Sequence, residues 1–352
     1  MSKIDIKSMT KEELAAWMKE KGQPAFRSGQ VYDWIHKKLA ADYSEMTNLP
    51  AKMREELAAE TTLRTLTPVT WLTSSDGYTV KYLFRLEDGH VIESVWMKYK
   101  HGNSVCISSQ VGCRMGCKFC ASTLGGRTRD LTASEMLDQI YRIQQISGER
   151  VSNVVVMGTG EPLDNYDQLV RFITLLTDEN GLNISQRNIT VSTCGLVEKI
   201  YDLAEENLQI TLAISLHAST DEERKKIMPV ANKYTISELL EACDSYFDKT
   251  GRRISFEYSL ISGENDDLES ARRLGKLLSG RNCHVNLIPV NPIKERDYRQ
   301  SSMEHIVKFK NVLEKYRIAC TIRREMGSDI NAACGQLRKD YLDNAEGIVS
   351  PQ

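Results

Sequence analysis

The sequence predicts an α/β protein, a partial (β/α)6 barrel that follows a small N-terminal helical module and a β-meander. The barrel is predicted from about residue 104 onward, where short apolar runs rich in β-branched residues alternate with helix-like segments. This alternation indicates a parallel sheet with crossover helices, and six such units are too few to close an eight-stranded barrel. The six runs are SVCIS, NVVVMG, NITVST, ITLAISL, ISFEYSLI and HVNLIPV.

The elements before the barrel follow from two other patterns. Apolar residues at helical spacing lie on both sides of Gly22 and Pro24, which predicts a helical module over residues 1–65. Apolar positions alternate in TVKYLFRL and VIESVWM, and a turn signal around Gly89 separates these two predicted strands. We therefore divide the chain into the module, a meander linker over 66–100, the barrel over 101–340, which includes a further strand at ACTIRR, and a tail over 341–352.

The composition limits the class of protein. Hydrophobic residues make up 41% and charged residues 27% of the 352 residues, and no apolar run approaches the roughly 20 residues that span a bilayer. The N-terminus lacks the apolar core of a signal peptide, so we expect a cytoplasmic protein without membrane contact. A net charge of -2 gives no overall attraction to nucleic acid, so RNA binding would need local basic clusters. Such clusters occur at residues 98–101, 224–226, 252–253 and 323–324.

Nine cysteines in a chain of this kind indicate metal binding or thiol chemistry rather than a disulfide framework. Cys113, Cys117 and Cys120 form a C-x3-C-x2-C pattern directly after the first barrel strand, on a predicted loop. Three thiolates this close in sequence can surround one soft-metal centre. A structural zinc site normally has four protein ligands, whereas a 4Fe-4S cluster held by three cysteines leaves one iron free to bind a substrate. The alternatives are three unrelated core cysteines or a zinc loop.

Glycine or polar residues follow four of the predicted barrel strands. Gly160 and Glu161 follow the second, where a glycine lets the backbone approach a ligand and a carboxylate can accept from an ammonium group. Because ligands of such barrels bind at the carboxyl ends of the strands, we expect these residues to line one site. A histidine there, taken singly, is more often a hydrogen-bonded structural residue than a base. The other members of the set are Ser192, Ser215, Leu216, His217 and Asn291.

Two further cysteines lie in informative places. Cys106 precedes the cysteine loop by seven residues, and Cys334 lies in a C-terminal segment of small residues. A thiol there could be carried over the mouth of the barrel. The remaining cysteines lie within or beside apolar segments, and we interpret them as small buried hydrophobic residues. They are Cys194, Cys243, Cys283 and Cys320.

The cysteine loop resembles that of the radical SAM superfamily, which has this spacing and usually an aromatic residue before the last cysteine, as Phe119 is here. The motifs ESVWMKY, VCISSQVGC, CKFCAS, MGTGEPL, SLHA, PVNP and DINAACGQL together resemble the RlmN-type dual-specificity RNA methyltransferases over essentially the whole chain. The resemblance implies one 4Fe-4S cluster that binds S-adenosylmethionine and cleaves it to a 5′-deoxyadenosyl radical. It also implies that the strand-end residues bind the amino group, carboxylate, ribose and adenine of that cofactor.

The same resemblance implies a reaction that uses two molecules of S-adenosylmethionine per turnover. Cys334 accepts a methyl group from the first by displacement. The radical from the second takes a hydrogen atom from that S-methyl group, and the carbon radical adds to C2 of an adenine. Cys106 then removes the C2 proton and forms a transient disulfide with Cys334, which a cellular reductant reopens. Glu93 matches the family's acidic position as a proton acceptor; without the resemblance it reads as a surface carboxylate.

The implied partners are RNA and an electron donor. The substrates would be an adenosine at the peptidyl transferase centre of 23S rRNA and the adenosine beside the anticodon of certain tRNAs, and the donor a flavodoxin or ferredoxin system. We expect a monomer. An adenine in folded RNA must be extruded to reach a barrel interior, so a recognition surface outside the barrel is expected. The module segment PAFRSGQVYDWIHKK could supply it, or could be an amphipathic helix with a core-facing Trp34; its contact candidates are Arg27, Tyr32, Trp34, Lys37 and Lys38.

Two other functions are open on the sequence alone. A Cfr-type relative would methylate C8 of the same ribosomal adenosine, but that type tends to have alanine where this chain has Pro162 in MGTGEPL. An RNA-binding protein with a structural zinc loop would leave Cys106, Cys334 and the polar strand ends without a purpose. We therefore expect C2 methylation.

Overall fold

The computed structural model describes residues 3–63, 65–100, 102–290, 298–323 and 326–330, together with Leu337 and Tyr341. Its first part is the predicted helical module. The first helix begins with a capping box, in which the side chains of Thr10 and Glu13 each accept from the other residue's backbone N–H. Pro24 and Pro50 precede the next two helices. The elements are β1 (Ile4–Asp5), α1 (Lys11–Glu20), α2 (Ala25–His36), α3 (Ala51–Glu60) and β2 (Thr61–Thr62).

The module packs on the outer helices of the barrel through buried polar contacts. Lys7 forms an ion pair with Asp138, and both side chains are almost fully buried. The hydroxyl of Tyr32 donates to the carboxylate of Asp178 at 2.9 Å. Because a buried charge without its partner costs several kcal/mol, these contacts fix where the module docks.

The predicted meander forms three antiparallel strands, and it is part of the barrel's own sheet. These strands pair in sequence with a fourth, which pairs in parallel with the next strand of the barrel. A short hairpin follows and brackets the cysteine loop. The elements are β3 (Thr67–Thr73), β4 (Thr79–Arg85), β5 (Val91–Tyr99), β6 (Gly102–Ile107), β7 (Gln110–Gly112) and β8 (Arg127–Asp130).

The six predicted β/α runs are confirmed as parallel strands, and the further strand at ACTIRR joins them. The sheet order is β14-β13-β12-β11-β10-β9-β6-β5-β4-β3. The two edge strands, β14 and β3, do not pair with each other, so the barrel is only partial. The remaining strands are β9 (Val151–Val156), β10 (Ile189–Thr193), β11 (Thr211–Ser215), β12 (Ile254–Leu260), β13 (Cys283–Pro289) and β14 (Ala319–Ile322). The helices are α4 (Ala133–Ser147), α5 (Tyr166–Thr177), α6 (Val197–Glu205), α7 (Asp221–Ile227), α8 (Ile236–Thr250), α9 (Leu268–Leu278) and α10 (Met303–Lys315).

The crossover helices cover the convex side of the sheet with their apolar faces. In α5, Leu169, Phe172 and Leu176 are fully buried, at the spacing that keeps them on one side of a helix. Each such side chain contributes about 1.5–3 kcal/mol relative to exposure. The core therefore lies between sheet and helices, and the concave side is left for a ligand. No helix in the described part of the chain is long and apolar enough to cross a membrane.

Candidate active site

The loops after the parallel strands enclose one pocket, at the carboxyl ends where the sequence predicts it. Its wall combines the cysteine loop, the second strand end and the polar ends of the next strands. The residues that line it include Cys113, Cys117, Cys120, Gly160, Glu161, Ser192, Cys194, Ser215, His217, Glu257, Ser259 and Arg323.

The cysteine loop is held by backbone contacts at both ends. The Cys113 N–H donates to the carbonyl of Gly126 at 2.9 Å. Gly112, at φ +78°, must be glycine, since a Cβ there would lie 2.0 Å from that same carbonyl oxygen. The Lys118 N–H donates to the Ile227 carbonyl at 2.8 Å, which ties the middle of the loop to α7. The loop is thus fixed before any metal binds.

The three thiols form a donor set that suits an iron–sulfur cluster. All three line the same pocket, and burial raises the pKa of Cys113 to about 12, so metal binding must displace its proton. No three His, Cys, Asp or Glu side chains of the described ranges are placed to share a single metal ion. An iron–sulfur cluster does not require the three sulfur atoms to converge on one ion, because each thiolate binds a different iron. Cys113, Cys117 and Cys120 would hold it.

Glu161 is buried against the cysteine loop, and its position is set by its neighbours. Its carboxylate accepts from the backbone N–H of Leu163 at 3.0 Å and of Cys194 at 2.7 Å. Burial raises the pKa of Glu161, and these hydrogen bonds act in the opposite direction. Gly160, at φ +115°, leaves no room for a side chain, because a Cβ would meet Gln110 and Ser109 at 2.7 Å. A cationic ligand group beside Glu161 would meet a fixed acceptor.

The next strand ends contribute a hydroxyl and an imidazole. Ser192 and Ser215 line the pocket, whereas Leu216 is fully buried and its backbone N–H donates to the Glu257 carbonyl. Nδ1 of His217 accepts from the Ser259 N–H at 2.9 Å, and burial lowers the pKa of His217 to about 3. The ring is therefore neutral with its proton on Nε2, a fixed donor. Asn291 lies outside the described residues.

Two residues of this pocket were not anticipated from the sequence. Glu257 lies within β12, where burial raises its pKa and the amide of Asn286 donates to it at 2.9 Å. The charged residue inside the apolar run ISFEYSL was the available signal. Cys194 is buried as we expect, but it also lines the pocket beside Glu161, so its interpretation as packing alone was incomplete.

Cys106 and Glu93 lie on the concave side of the antiparallel strands. Strand register pairs Lys81 with Val95, Val95 with Cys106 and Cys106 with Val155, so these four side chains share one face, which we call the inner face. Glu93, two residues before Val95, lies on the same face. Met157, two residues after Val155, lines the pocket. The inner face therefore leads from the meander into the pocket.

Glu93 is a buried residue and not the surface carboxylate of the alternative interpretation. It is 4% exposed and lies 3.2 Å from the Lys81 ammonium, which is fully buried. Opposite charges so placed stabilise each other, and removal of either one destabilises the fold because it leaves the other charge buried. The inner face thus holds a carboxylate, an ammonium group and the Cys106 thiol in fixed positions.

Cys334 lies outside the described residues, but described residues on either side of it contact the meander. The Ser75 N–H, just before β4, donates to the carboxylate of Asp329 at 2.7 Å. Arg85, the last residue of β4, donates to the hydroxyl of Tyr341 at 3.0 Å. No disulfide joins two cysteines within the described ranges.

Two candidate RNA contacts are corrected by burial. Arg224 is fully buried, so the cluster at 224–226 presents only its two lysines. Tyr32 is 1% exposed and bonded to Asp178, so it is not available for base stacking. Trp34 packs partly against the core, with the Lys38 ammonium 3.9 Å from its ring centroid. Lys37, by contrast, is exposed.

Comparison with known proteins defines the class first. A model of the radical SAM superfamily matches residues 107–274, and a model of the ribosomal RNA large subunit methyltransferase N-terminal domain matches residues 4–63. The crystal structure of a radical SAM methyltransferase from Sphaerobacter thermophilus superposes with a TM-score of 0.91 at 44% identity, over 95% of this chain and 98% of that one. The barrel and its cysteine pocket are those of a radical SAM enzyme.

Sequence relatives define the family more closely. The chain is 64% identical over 341 residues to a probable dual-specificity RNA methyltransferase RlmN from Lachnoclostridium phytofermentans, covering 97% of this chain and 96% of that protein. It is 61% identical to the protein of the same description from Lachnospira eligens, covering 97% and 98%. The chain belongs to the RlmN family of radical SAM RNA methyltransferases. The family implies an iron–sulfur cluster, S-adenosylmethionine and an RNA substrate.

Proposed function

We propose that this enzyme methylates C2 of adenosine in 23S rRNA, at the peptidyl transferase centre, and in tRNA, beside the anticodon. The single observation that carries the proposal is the inner face, on which Cys106 and Glu93 lead into the cysteine pocket. A pocket alone would serve any radical SAM reaction. A thiol and a carboxylate beside it are what a covalent route through cysteine needs in addition.

The cofactor chemistry supplies the radical. When bound by Cys113, Cys117 and Cys120, the 4Fe-4S cluster supplies the electron that cleaves S-adenosylmethionine to methionine and a 5′-deoxyadenosyl radical. Glu161 accepts from the methionine ammonium group. The rest of the S-adenosylmethionine molecule is bound by the other strand-end residues. His217 offers its Nε2–H as a fixed donor, and the remaining members are Ser192, Ser215, Leu216 and Asn291. The walls of this recessed pocket restrict the access of water to the radical.

The cysteine pair carries the methyl group. The Cys334 thiolate displaces S-adenosylhomocysteine from a first S-adenosylmethionine, so that an S-methyl bond forms. Loss of one hydrogen atom from this methyl group to the radical from a second molecule yields a methylene radical, which adds to C2. This route suits an electron-poor carbon that cannot attack a sulfonium methyl group itself.

Release requires a base and a second thiol. Cys106 takes the C2 proton and transfers it to Glu93, which restores the Cys106 thiolate. This thiolate attacks the sulfur of Cys334, so that an S–S bond forms as the S–C bond breaks, and the released methylene carbon takes up a proton to become the methyl group. The surplus electron that radical addition leaves on the ring returns to the electron-donor system. Glu93 accepts protons on this face. Asp329 and Tyr341, which precede and follow Cys334 in the sequence, contact Ser75 in the turn before β4 and Arg85 at the end of β4.

We also propose the partners of the enzyme and its location in the cell. A flavodoxin or ferredoxin system supplies the electron, a cellular thiol reductant reopens the disulfide, and the enzyme acts as a monomer in the cytoplasm, where its RNA substrates are made. Recognition of RNA outside the barrel falls to the exposed basic residues of the module, Lys37 and Lys38, with Arg27.

The test is anaerobic incubation of the reconstituted enzyme with S-adenosylmethionine, reductant and unmodified ribosomal RNA fragment or tRNA, followed by mass spectrometry of the nucleosides. We expect 2-methyladenosine, lost in Cys334→Ala and kept in the control Cys320→Ala. Formation of 8-methyladenosine would assign the Cfr-type activity. S-adenosylmethionine cleavage without any methylated adenosine would contradict the RNA assignment.

A further inference from the structure

Arg224 is a buried cation with no matching anion among the described residues. It lies on α7, is fully buried, and no described carboxylate lies within ion-pair distance of it. Nη2 donates to the carbonyl of Cys194 at 2.6 Å and of Ser215 at 3.3 Å, and Nε donates to that of Leu216 at 3.3 Å. Nη1 is buried and has no hydrogen-bond partner within the described part of the chain.

Such an arrangement is costly unless a negative charge belongs beside it. An arginine does not lose its proton in a protein, so burial cannot neutralise this side chain. An uncompensated buried charge destabilises a fold by about 3–5 kcal/mol. Three carbonyl acceptors offset part of this cost through hydrogen bonds, but none of them carries a net charge. The position therefore indicates an anion other than a carboxylate of the described residues.

The neighbouring cysteine loop supplies that anion once its thiols bind metal. Cys117 and Cys194 share one apolar cluster with Met228, whose N–H donates to the Arg224 carbonyl at 2.8 Å. The Lys118 N–H donates to Ile227, in the same turn of α7.

We propose that Arg224 is the fixed counter-charge of the iron–sulfur cluster and eases its one-electron reduction. The inference rests on the proposed cluster site and adds a positioning residue outside its ligands. Reduction brings one electron from the external donor and one further negative charge into the loop; no bond forms or breaks, and Arg224 keeps its proton. A fixed positive charge favours the more negative state, so it raises the reduction potential.

A merely structural role makes a different prediction. Arg224 also joins the ends of β10 and β11 through its carbonyl contacts, and any substitution there could disturb them. Arg224→Lys keeps the charge with fewer donors, whereas Arg224→Gln keeps amide donors without the charge. If the charge of Arg224 sets the reduction potential, the Gln variant has a lower potential than the Lys variant. If only the carbonyl contacts of Arg224 matter, the potential does not depend on the charge of the substituted side chain. Arg252→Gln is the matched control, because Arg252 donates to the Ile210 carbonyl at the opposite end of the strands.

The experiment is a redox titration of the reconstituted full-length variants, followed by EPR of the reduced cluster, without RNA. We expect Arg224→Gln to make reduction about tenfold less favourable, about 59 mV lower in potential, while Arg224→Lys and Arg252→Gln stay within about twofold of wild type. Equal potentials in Gln and Lys variants with full iron content would overturn the proposal.

A second measurement tests the proposal even if Arg224→Gln binds too little iron for a redox titration. The unfolding midpoints of wild type and Arg224→Gln are compared with and without cluster. The counter-charge predicts that the substitution destabilises the loaded form more than the cluster-free form, where the charge has no anion. Equal destabilisation of both forms, or a larger loss in the cluster-free form, would overturn it. A wild-type chain that binds no cluster would instead contradict the proposed function.

Discussion

The two halves of the ten-stranded sheet present their chemistry in different ways. The parallel half, β9 to β14, carries its polar groups mostly at strand ends and on loops, where glycines such as Gly160 allow a close approach. The antiparallel half, β4 to β6, carries Lys81, Glu93 and Cys106 within strands, on one face. Loop ends can surround a cofactor, whereas strand residues are held rigidly for a single step. One continuous sheet thus joins the pocket to the inner face.

Loss of one cysteine ligand gives the largest expected effect, and it falls on both halves. Cys117→Ala removes one of the three thiolates, so we expect loss of iron and of all S-adenosylmethionine cleavage, since nothing in the antiparallel half can start the reaction. Iron analysis and assay of 5′-deoxyadenosine measure this. Cys320→Ala, on β14 and outside the pocket lining, is the control and should keep both.

Substitution of Lys81 tests the rigid half. Lys81→Met removes the ammonium group that lies 3.2 Å from the buried Glu93 carboxylate, so we expect a loss of about 3–5 kcal/mol in the free energy of unfolding. Lys98→Met, on the neighbouring strand β5, removes a more exposed pair with Glu149, which lies between α4 and β9, and is expected to lose much less stability. Urea denaturation measures both. Equal losses in the two variants would show that the inner face is not a buried polar site.

Substitution of Glu161 tests the binding half. Glu161→Gln removes the charge and places an amide against two backbone N–H donors, so binding of S-adenosylmethionine should weaken by about 2–5 kcal/mol. Calorimetric titration of the loaded enzyme measures this, with the exposed Glu222→Gln as control. Unchanged affinity in Glu161→Gln would remove this residue from the site.

Acidification gives the smallest expected effect, and it acts on one buried histidine in the pocket and one in the module. Burial lowers the pKa of His217 and of His36 to about 3, whereas an unfolded histidine has a pKa of about 6.5. Below that value the unfolded chain binds more protons, so each histidine lowers stability by about 2 kcal/mol at about pH 5 relative to pH 7. We expect His217→Gln or His36→Gln to reduce the pH dependence equally in urea unfolding. An unchanged pH dependence would contradict neutral burial.

The sequence predicts one half of this sheet better than the other. Short apolar runs and the cysteine spacing are local signals, and Gly160 and Glu161 stand where a strand visibly ends. The pairing of Lys81 with Glu93 is not a local signal, because both faces of β4 are covered and its alternation does not reveal the inner side. The role of Glu93 was therefore proposed only through family resemblance, whereas Cys106 was also singled out by its position seven residues before the cysteine loop.

Arg224 shows a second limit. In the sequence, residues 224–226 form a run of basic side chains that indicates a solvated surface. On a helix, successive residues point in different directions, so Arg224 faces the interior while Lys225 and Lys226 face solvent. Which side of α7 meets the cysteine loop depends on the packing of the whole barrel, and no local pattern contains that information.

We propose that the inner face completes a reaction that the pocket begins. Its most direct test is Cys106→Ala, incubated anaerobically with S-adenosylmethionine, reductant and substrate RNA, then analysed for protein–RNA adducts by denaturing electrophoresis and mass spectrometry. We expect 5′-deoxyadenosine to form and a covalent adduct to accumulate without release of 2-methyladenosine, because no thiol is left to break the S–C bond. Release of 2-methyladenosine at the wild-type rate would contradict the account.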